Sequence, residues 1–287
     1  MNSEKSKIYI IEIFSSLQGE GGSLNGSCFG KRQIFIRFSG CNLSNKFENV
    51  SSCFWCDSPF AQIFKNPIVK IEEKPGSGKF KKHNNPIESH DLADIIKSLY
   101  TKDLHSISFT GGEPLCQLDF IESFLESFDH YNIEYPLYLE TNGTIIPTND
   151  QMQLIAKYFK YCCCDIKDRS SNIANNIEWH KIIDKELKFI EKFTEYNIRT
   201  FAKLIVTSKT KIEDIDLICK RLANIEYNGK NNIGLAIQPV FLVDENLKKK
   251  YTISTDHLNQ IFYRVAEYLS PNNISLSIQA HKYLNLL

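Results

Sequence analysis

The chain has no net charge: 34 Lys and Arg balance 34 Asp and Glu across 287 residues, so no global field draws it to nucleic acid or an anionic membrane. Nowhere does it reach the ~18 consecutive apolar residues of a membrane span, and Met1 to Lys7 lacks the apolar segment of a signal peptide. A cytoplasmic protein is expected, with neither nucleic acid nor membrane as a partner. Internal repeats and long low-complexity segments are absent, and histidine is scarce, with none between Cys28 and His83. The composition, 42% hydrophobic and 24% charged, excludes a disordered chain. At this length a core forms without disulfide staples.

Cysteine is plentiful instead. Nine cysteines are an odd number in a chain too long for a disulfide miniprotein, and in a reducing compartment they mark metal chemistry, catalysis or burial. Their spacing separates these uses. Cys41, Cys53 and Cys56 follow a strand as Cys-x11-Cys-x2-Cys, and a loop can turn three thiolates toward one centre where a strand cannot. A structural zinc site wants a fourth Cys or His nearby, and none is present. Three thiolates suit a [4Fe-4S] cluster with one iron left open. Cys162, Cys163 and Cys164 are consecutive on a strand, point to alternate faces and read as core. Cys28, Cys116 and Cys219 have no partner at ligand spacing and read as structural thiols.

The order of elements places this loop. A strand from Ile8 to Phe14 runs into Gln18-Gly19-Glu20-Gly21-Gly22, and a second, Gln33 to Phe38, runs into the cysteine loop. Residues 65 to 88 gather Lys, Pro, Gly, His and Asn and read as an exposed insertion within one domain spanning 1 to 287. Then helices (Asp91 to Tyr100, Leu118 to Phe128, Asp150 to Phe159, Trp179 to Phe193, Ile212 to Leu222, Thr255 to Leu269) alternate with strands. Those strands are Ser106 to Thr110, Leu137 to Thr141, Tyr161 to Ile166, Phe201 to Val206, Ile233 to Gln238 and Ile274 to Ile278. Alternation implies an α/β fold with a parallel sheet, open or closed toward a barrel, and functional groups at the carboxyl ends of its strands.

Thr110-Gly111-Gly112-Glu113-Pro114 sits at such an end, where glycines let backbone approach a ligand and Glu113 offers a carboxylate to a cationic group. Alone it is a turn. Together with the cysteine loop on the preceding strand, it resembles the radical S-adenosylmethionine enzymes, and more narrowly the 7-carboxy-7-deazaguanine synthase family. The narrower resemblance rests on Leu17-Gln18-Gly19-Glu20-Gly21, Phe35 to Leu43, Trp55-Cys56-Asp57-Ser58, Glu140-Thr141-Asn142-Gly143-Thr144 and the terminal Gln279-Ala280-His281-Lys282-Tyr283-Leu284.

The resemblance implies a partial (βα)6 TIM-like barrel that converts 6-carboxy-5,6,7,8-tetrahydropterin to 7-carboxy-7-deazaguanine with release of ammonia, in queuosine and 7-deazapurine synthesis. By it, Cys41, Cys53 and Cys56 hold the cluster. Trp55, Cys56, Asp57, Gly111, Gly112, Glu113, Thr141, Asn142 and Lys167 seat S-adenosylmethionine. Leu17, Gln18, Gly19, Glu20, Arg37, Thr110, His281 and the carboxylate of Leu287 bind the pterin, and Ser58 binds Mg²⁺. No further catalytic side chain is implied beyond cluster and cofactor. Flavodoxin or ferredoxin would supply electrons to a homodimer. Two departures stand out: x11 where radical enzymes broadly have x3, and Asp165-Ile166-Lys167 where many members have Ser-Pro-Lys. The first alternative is an activating enzyme that installs a glycyl radical on a partner protein, sharing the cysteines and the Gly-Gly-Glu-Pro turn. A zinc or RNA-binding module is the other, opposed by the neutral charge and the lack of a basic aromatic stripe.

Overall fold

A computed structural model describes residues 6–44, 53–171, 176–226, 229 and 233–286, with 176 and 177 described by backbone alone. Its elements in chain order begin with β1 (Lys7–Ile8), β2 (Ile10–Leu17), β3 (Arg32–Phe38), β4 (Ile68–Glu72), β5 (Phe80–Asn84), β6 (Ile87–Glu88), α1 (Ser89–Ser98) and β7 (Leu104–Gly111). Next are α2 (Leu118–Glu126), β8 (Leu137–Thr141), α3 (Asn149–Tyr158), β9 (Phe159–Ile166), α4 (Asn176–Glu195), β10 (Arg199–Val206) and α5 (Ile212–Leu222). The last are β11 (Gly234–Pro239), α6 (Glu245–Tyr251), α7 (Thr255–Val265), β12 (Ile274–Leu276) and α8 (Ala280–Leu284).

One sheet carries the order β12-β11-β10-β9-β8-β7-β3-β2-β4-β5. From β3 through β12 every neighbouring pair is parallel, whereas β2 runs antiparallel to β3. The result is the partial (βα)6 barrel, open at the side. Its strands read as apolar runs because helices cover one face and the barrel interior the other, so Leu204, Val206, Phe109 and Cys162 to Cys164 are all buried. Helix starts follow local chemistry. Thr148 and Gln151 form a reciprocal capping box at α3, and Ser254 caps α7 by accepting from the His257 amide at 3.2 Å.

Residues 65 to 88 are not a mere appendage. Most of their charged side chains are exposed, yet β4 pairs with β2 and β5 with β4, extending the sheet. Buried Glu72 anchors this hairpin by accepting from the Ser15 amide at 2.9 Å, the Gly76 amide at 3.1 Å and the Gly78 amide at 2.9 Å. Glu72→Gln is expected to cost about 1–3 kcal/mol, since it leaves a buried N–H facing an NH₂ group. Denaturant unfolding checks this. Sequence periodicity missed β4, β5, α6 and α8, all short and charged or polar on an exposed side.

Candidate active site

At the carboxyl ends of the parallel strands lies a cavity of about 500 Å³. Its walls are built by backbone contacts between two turns. The Gly40 amide donates to Ala61 O at 2.7 Å, the Gly112 amide to Phe38 O at 3.0 Å, and the Glu113 amide to Gly40 O at 2.7 Å. Gly111 takes a φ of +117°, a backbone that favours glycine, and a Cβ on Gly112 would fall on Gly40 O and within 2.6 Å of Ala61 O. The glycine pair therefore clasps the turn to the start of the cysteine loop, beside the ligand space.

A third turn closes the wall. Asn142 Nδ2 donates to Asn42 Oδ1 at 2.9 Å and lies 4.0 Å from Cys41 Sγ, while Asn42 Nδ2 donates to Thr144 Oγ1 at 2.8 Å. Glu113 does not face the cavity as the sequence led us to expect. It is fully buried behind it, accepting from the Asn142 amide at 2.7 Å, Thr141 Oγ1 at 2.8 Å and the Leu115 amide at 3.0 Å. Its role in this structure is to hold the Thr141-Asn142 turn.

Burial raises the Glu113 carboxyl from 4.5 to about 7, against the pull of those donors. The folded chain thus keeps a proton that the unfolded chain releases, so this group favours folding below pH 4.5 and that contribution is lost as the pH rises to about 7. Thermal midpoints across that window should decline with pH, and Glu113→Gln should flatten the decline.

Cys41, Cys53 and Cys56 all line the cavity. Burial, with Glu113 adding, pushes the Cys41 thiol up to about 12; burial pushes Cys53 up to about 11, with Lys167 pulling the other way. Their sulfurs are not gathered around one point. Among the described residues the group of His, Cys, Asp and Glu whose ligand atoms all lie within 4.8 Å of one another is Glu20, Asp57 and His281. Three separated thiols on one loop fit a cluster with each sulfur on its own iron better than a single ion. Trp55 adds a buried Nε1 with no partner among the described residues, on the wall of the same cavity. Of the other cysteines, Cys162 to Cys164 are buried on β9 as expected. Residues 45–52 of the loop lie outside the described residues, as does Leu287.

The opposite wall is ionic. Arg37 at the end of β3 donates from Nε to Glu12 Oε1 at 2.9 Å and from Nη1 to Ser58 Oγ at 2.9 Å, and Ser58 donates to Asp57 Oδ1 at 3.0 Å. Burial works against the Asp57 carboxylate, but Arg37, Lys203 and Lys282 outweigh it and hold its pKa below the ordinary value. Gln279 Nε2 donates to Glu20 Oε1 at 2.7 Å and Asp57 Oδ2 at 3.2 Å. Gln18 Nε2 donates to Glu140 Oε1 at 2.6 Å, and Thr110 Oγ1 to Glu140 Oε2 at 2.7 Å. The Ala280 amide donates to Gly19 O at 3.0 Å, which docks α8 so that His281 reaches the cavity. Burial lowers the His281 pKa, against the pull of the Glu20 and Asp57 carboxylates.

The fold thus gathers Leu17, Gln18, Gly19, Glu20, Arg37, Thr110, His281, Trp55, Asp57, Ser58, Gly111, Gly112, Thr141, Asn142 and Lys167 with the three thiols around one space. Sequence reasoning passed over Glu12, Glu140, Lys203 and Gln279 as site residues. The signal for Lys203 was present: a single charge inside the apolar run Phe201 to Val206 on a strand covered on both faces must find partners.

A family profile described as the Radical SAM superfamily matches residues 35–238. The 7-carboxy-7-deazaguanine synthase of Thermococcus kodakarensis is 33% identical over 98% of this chain and 100% of its own length. That of Methanocaldococcus jannaschii is 34% identical over 97% and 100%. The crystal structure of QueE from Escherichia coli matches with a TM-score of 0.53 at 18% identity, covering 96% of this chain and 95% of that one, and shares the fold. With its three-thiol loop, its glycine turn and these full-length relatives, the chain belongs to the radical SAM superfamily and, within it, to the 7-carboxy-7-deazaguanine synthase family.

Proposed function

We propose that this chain converts 6-carboxy-5,6,7,8-tetrahydropterin to 7-carboxy-7-deazaguanine and ammonia. Membership of the superfamily implies a [4Fe-4S] cluster and S-adenosylmethionine. The observation that carries the reading is that one cavity is lined both by Cys41, Cys53, Cys56 and the Gly111-Gly112 turn and by Arg37, Gln18, Glu20 and His281. Held by Cys41, Cys53, Cys56 and the Gly111-Gly112 turn, cluster and cofactor would supply the radical chemistry for removing hydrogen from the substrate carbon that bears the carboxylate.

The chain's own residues bind, orient and shield. Arg37 lines the cavity that a substrate carboxylate would enter, and it spends only Nε on Glu12 and Nη1 on Ser58. Gln18, Glu20 and Gln279 offer donors and acceptors matched to a pterin edge, which carries both. Phe14, Phe35 and Phe80 line the same cavity and exclude water beside them. Ser58, with Asp57 next to it, is assigned the Mg²⁺ site, where an oxygen ligand and the substrate carboxylate suit a hard cation. Lys167 and Asn142 are assigned to the cofactor.

Arg37→Met should raise KM for the pterin about tenfold to hundredfold, the equivalent of about 1.5–3 kcal/mol for a lost charge-assisted bond. Steady-state kinetics of the cluster-loaded variant check it. Electron delivery by a donor such as flavodoxin or ferredoxin and a homodimer are proposed from the resemblance, and a cytoplasmic location from the sequence; no helix of the described residues is long and apolar enough to cross a membrane.

The test is anaerobic reconstitution with iron and sulfide, then S-adenosylmethionine, Mg²⁺, dithionite and the carboxylated tetrahydropterin. A product lighter than the substrate by one ammonia supports the reading. Cofactor cleavage with the pterin untouched moves the chain to the activating enzymes, a reading that the synthase relatives favour less.

A further inference from the structure

We propose that Lys203 is a positioning residue that ties the substrate half of the cavity to its cofactor half, acting through Glu20 on one side and Asp165 on the other; this rests on the functional reading above. Lys203 lies on β10, directly opposite Asp165 of β9 in the parallel register. Its ammonium pairs with Glu20 and lies 3.1 Å from Asp165 Oδ1. Asp165 Oδ2 in turn lies 3.1 Å from Lys167 Nζ. The side chains of Lys203, Glu20 and Lys167 are only 8%, 13% and 6% exposed, and that of Asp165 28%. A line of alternating charge, Lys167, Asp165, Lys203, Glu20, therefore crosses the cavity wall with little water around it.

The ends of this line differ in how firmly they are held. Lys167 is fixed from behind, its amide donating to Glu186 Oε2 at 3.2 Å and its carbonyl accepting from Trp179 Nε1 at 2.6 Å, both on α4. Lys203 is fixed by its place inside the sheet, between β9 and β11. Glu20 belongs to the loop after β2, where no strand pairing sets its side chain. Its carboxylate is aimed by Lys203 on one oxygen and by Gln279 on the other. Lys203 itself lines the cavity, and the role proposed for it there is to point Glu20 at the pterin edge. By the same ammonium, Asp165 is held where it can orient Lys167.

The test uses the cluster-loaded protein, with loading checked by iron content and visible absorption. Lys203→Met, Lys203→Arg, Glu20→Gln and the double variant Lys203→Met with Glu20→Gln are compared for KM and kcat with the carboxylated tetrahydropterin. Lys203→Met is expected to raise KM about tenfold or more while kcat changes by less than about threefold. Lys203→Arg recovers most of the loss, and in the Glu20→Gln background Lys203→Met adds no further rise. A wild-type KM in fully loaded Lys203→Met, or two effects that multiply in the double variant, overturns the proposal. Should the wild-type holoenzyme cleave S-adenosylmethionine and leave the pterin unchanged, the functional reading fails, and the tie is tested by equilibrium dialysis of S-adenosylmethionine alone. Weakening of several-fold in both Asp165→Asn and Lys203→Met then supports it, and unchanged affinity in both overturns it.

Discussion

Replacing Cys53 by alanine is expected to abolish S-adenosylmethionine cleavage, a loss of at least about 10³-fold, equal to about 4 kcal/mol of barrier. The reason is coordination. Three thiols face the cavity, Cys53 among them, and the Glu20 and Asp57 carboxylates on the same cavity are already engaged by Lys203 and Gln279. Visible absorption and iron content should fall with activity in the same preparation. A Cys53→Ala protein that still binds a full complement of iron and cleaves the cofactor contradicts the assignment. Cys116→Ala is the control, since that thiol lies outside the cavity lining and its loss should leave iron content intact.

Gly112→Ala carries the second large effect. A methyl group there has no room, because the atoms it meets are the carbonyl oxygens of Gly40 and Ala61, and backbone does not rotate away as a side chain does. Relief requires the turn to part from the start of the cysteine loop, breaking the bonds from the Gly112 and Glu113 amides. A cost of about 2–4 kcal/mol is expected, in the range of backbone strain with lost buried hydrogen bonds. Chemical denaturation measures it. Because the same bonds position Cys41, cluster loading should fall as well, which separates this variant from a purely distant destabilisation.

Much of this was legible before any coordinates. Loop placement and the missing fourth ligand singled out Cys41, Cys53 and Cys56, which the fold brings to one cavity, and the alternation from Ser106 onward dictated a parallel sheet with its functional ends on one side. Hydrophobic periodicity located the central strands because they are covered on both faces. It was silent on β4 and β5, whose lysines and solvent-facing edge hide a pairing that depends on the buried Glu72.

The direction of individual side chains was the harder part. Glu113 reads as a ligand group from its turn, yet three donors behind the wall compete for it and win. Lys203 reads as an oddity in a core strand, and its meaning needs Glu20, 183 residues earlier, and Asp165 on the neighbouring strand. Such contacts are set by tertiary register, which local pattern does not encode.

The most direct test of the central claim is a mass spectrum of both products from substrate deuterated at the carbon bearing the carboxylate, using the reconstituted protein with S-adenosylmethionine, Mg²⁺ and dithionite. The account predicts deuterium in 5'-deoxyadenosine together with the carboxylated deazaguanine. Unlabelled 5'-deoxyadenosine beside unchanged pterin would contradict it.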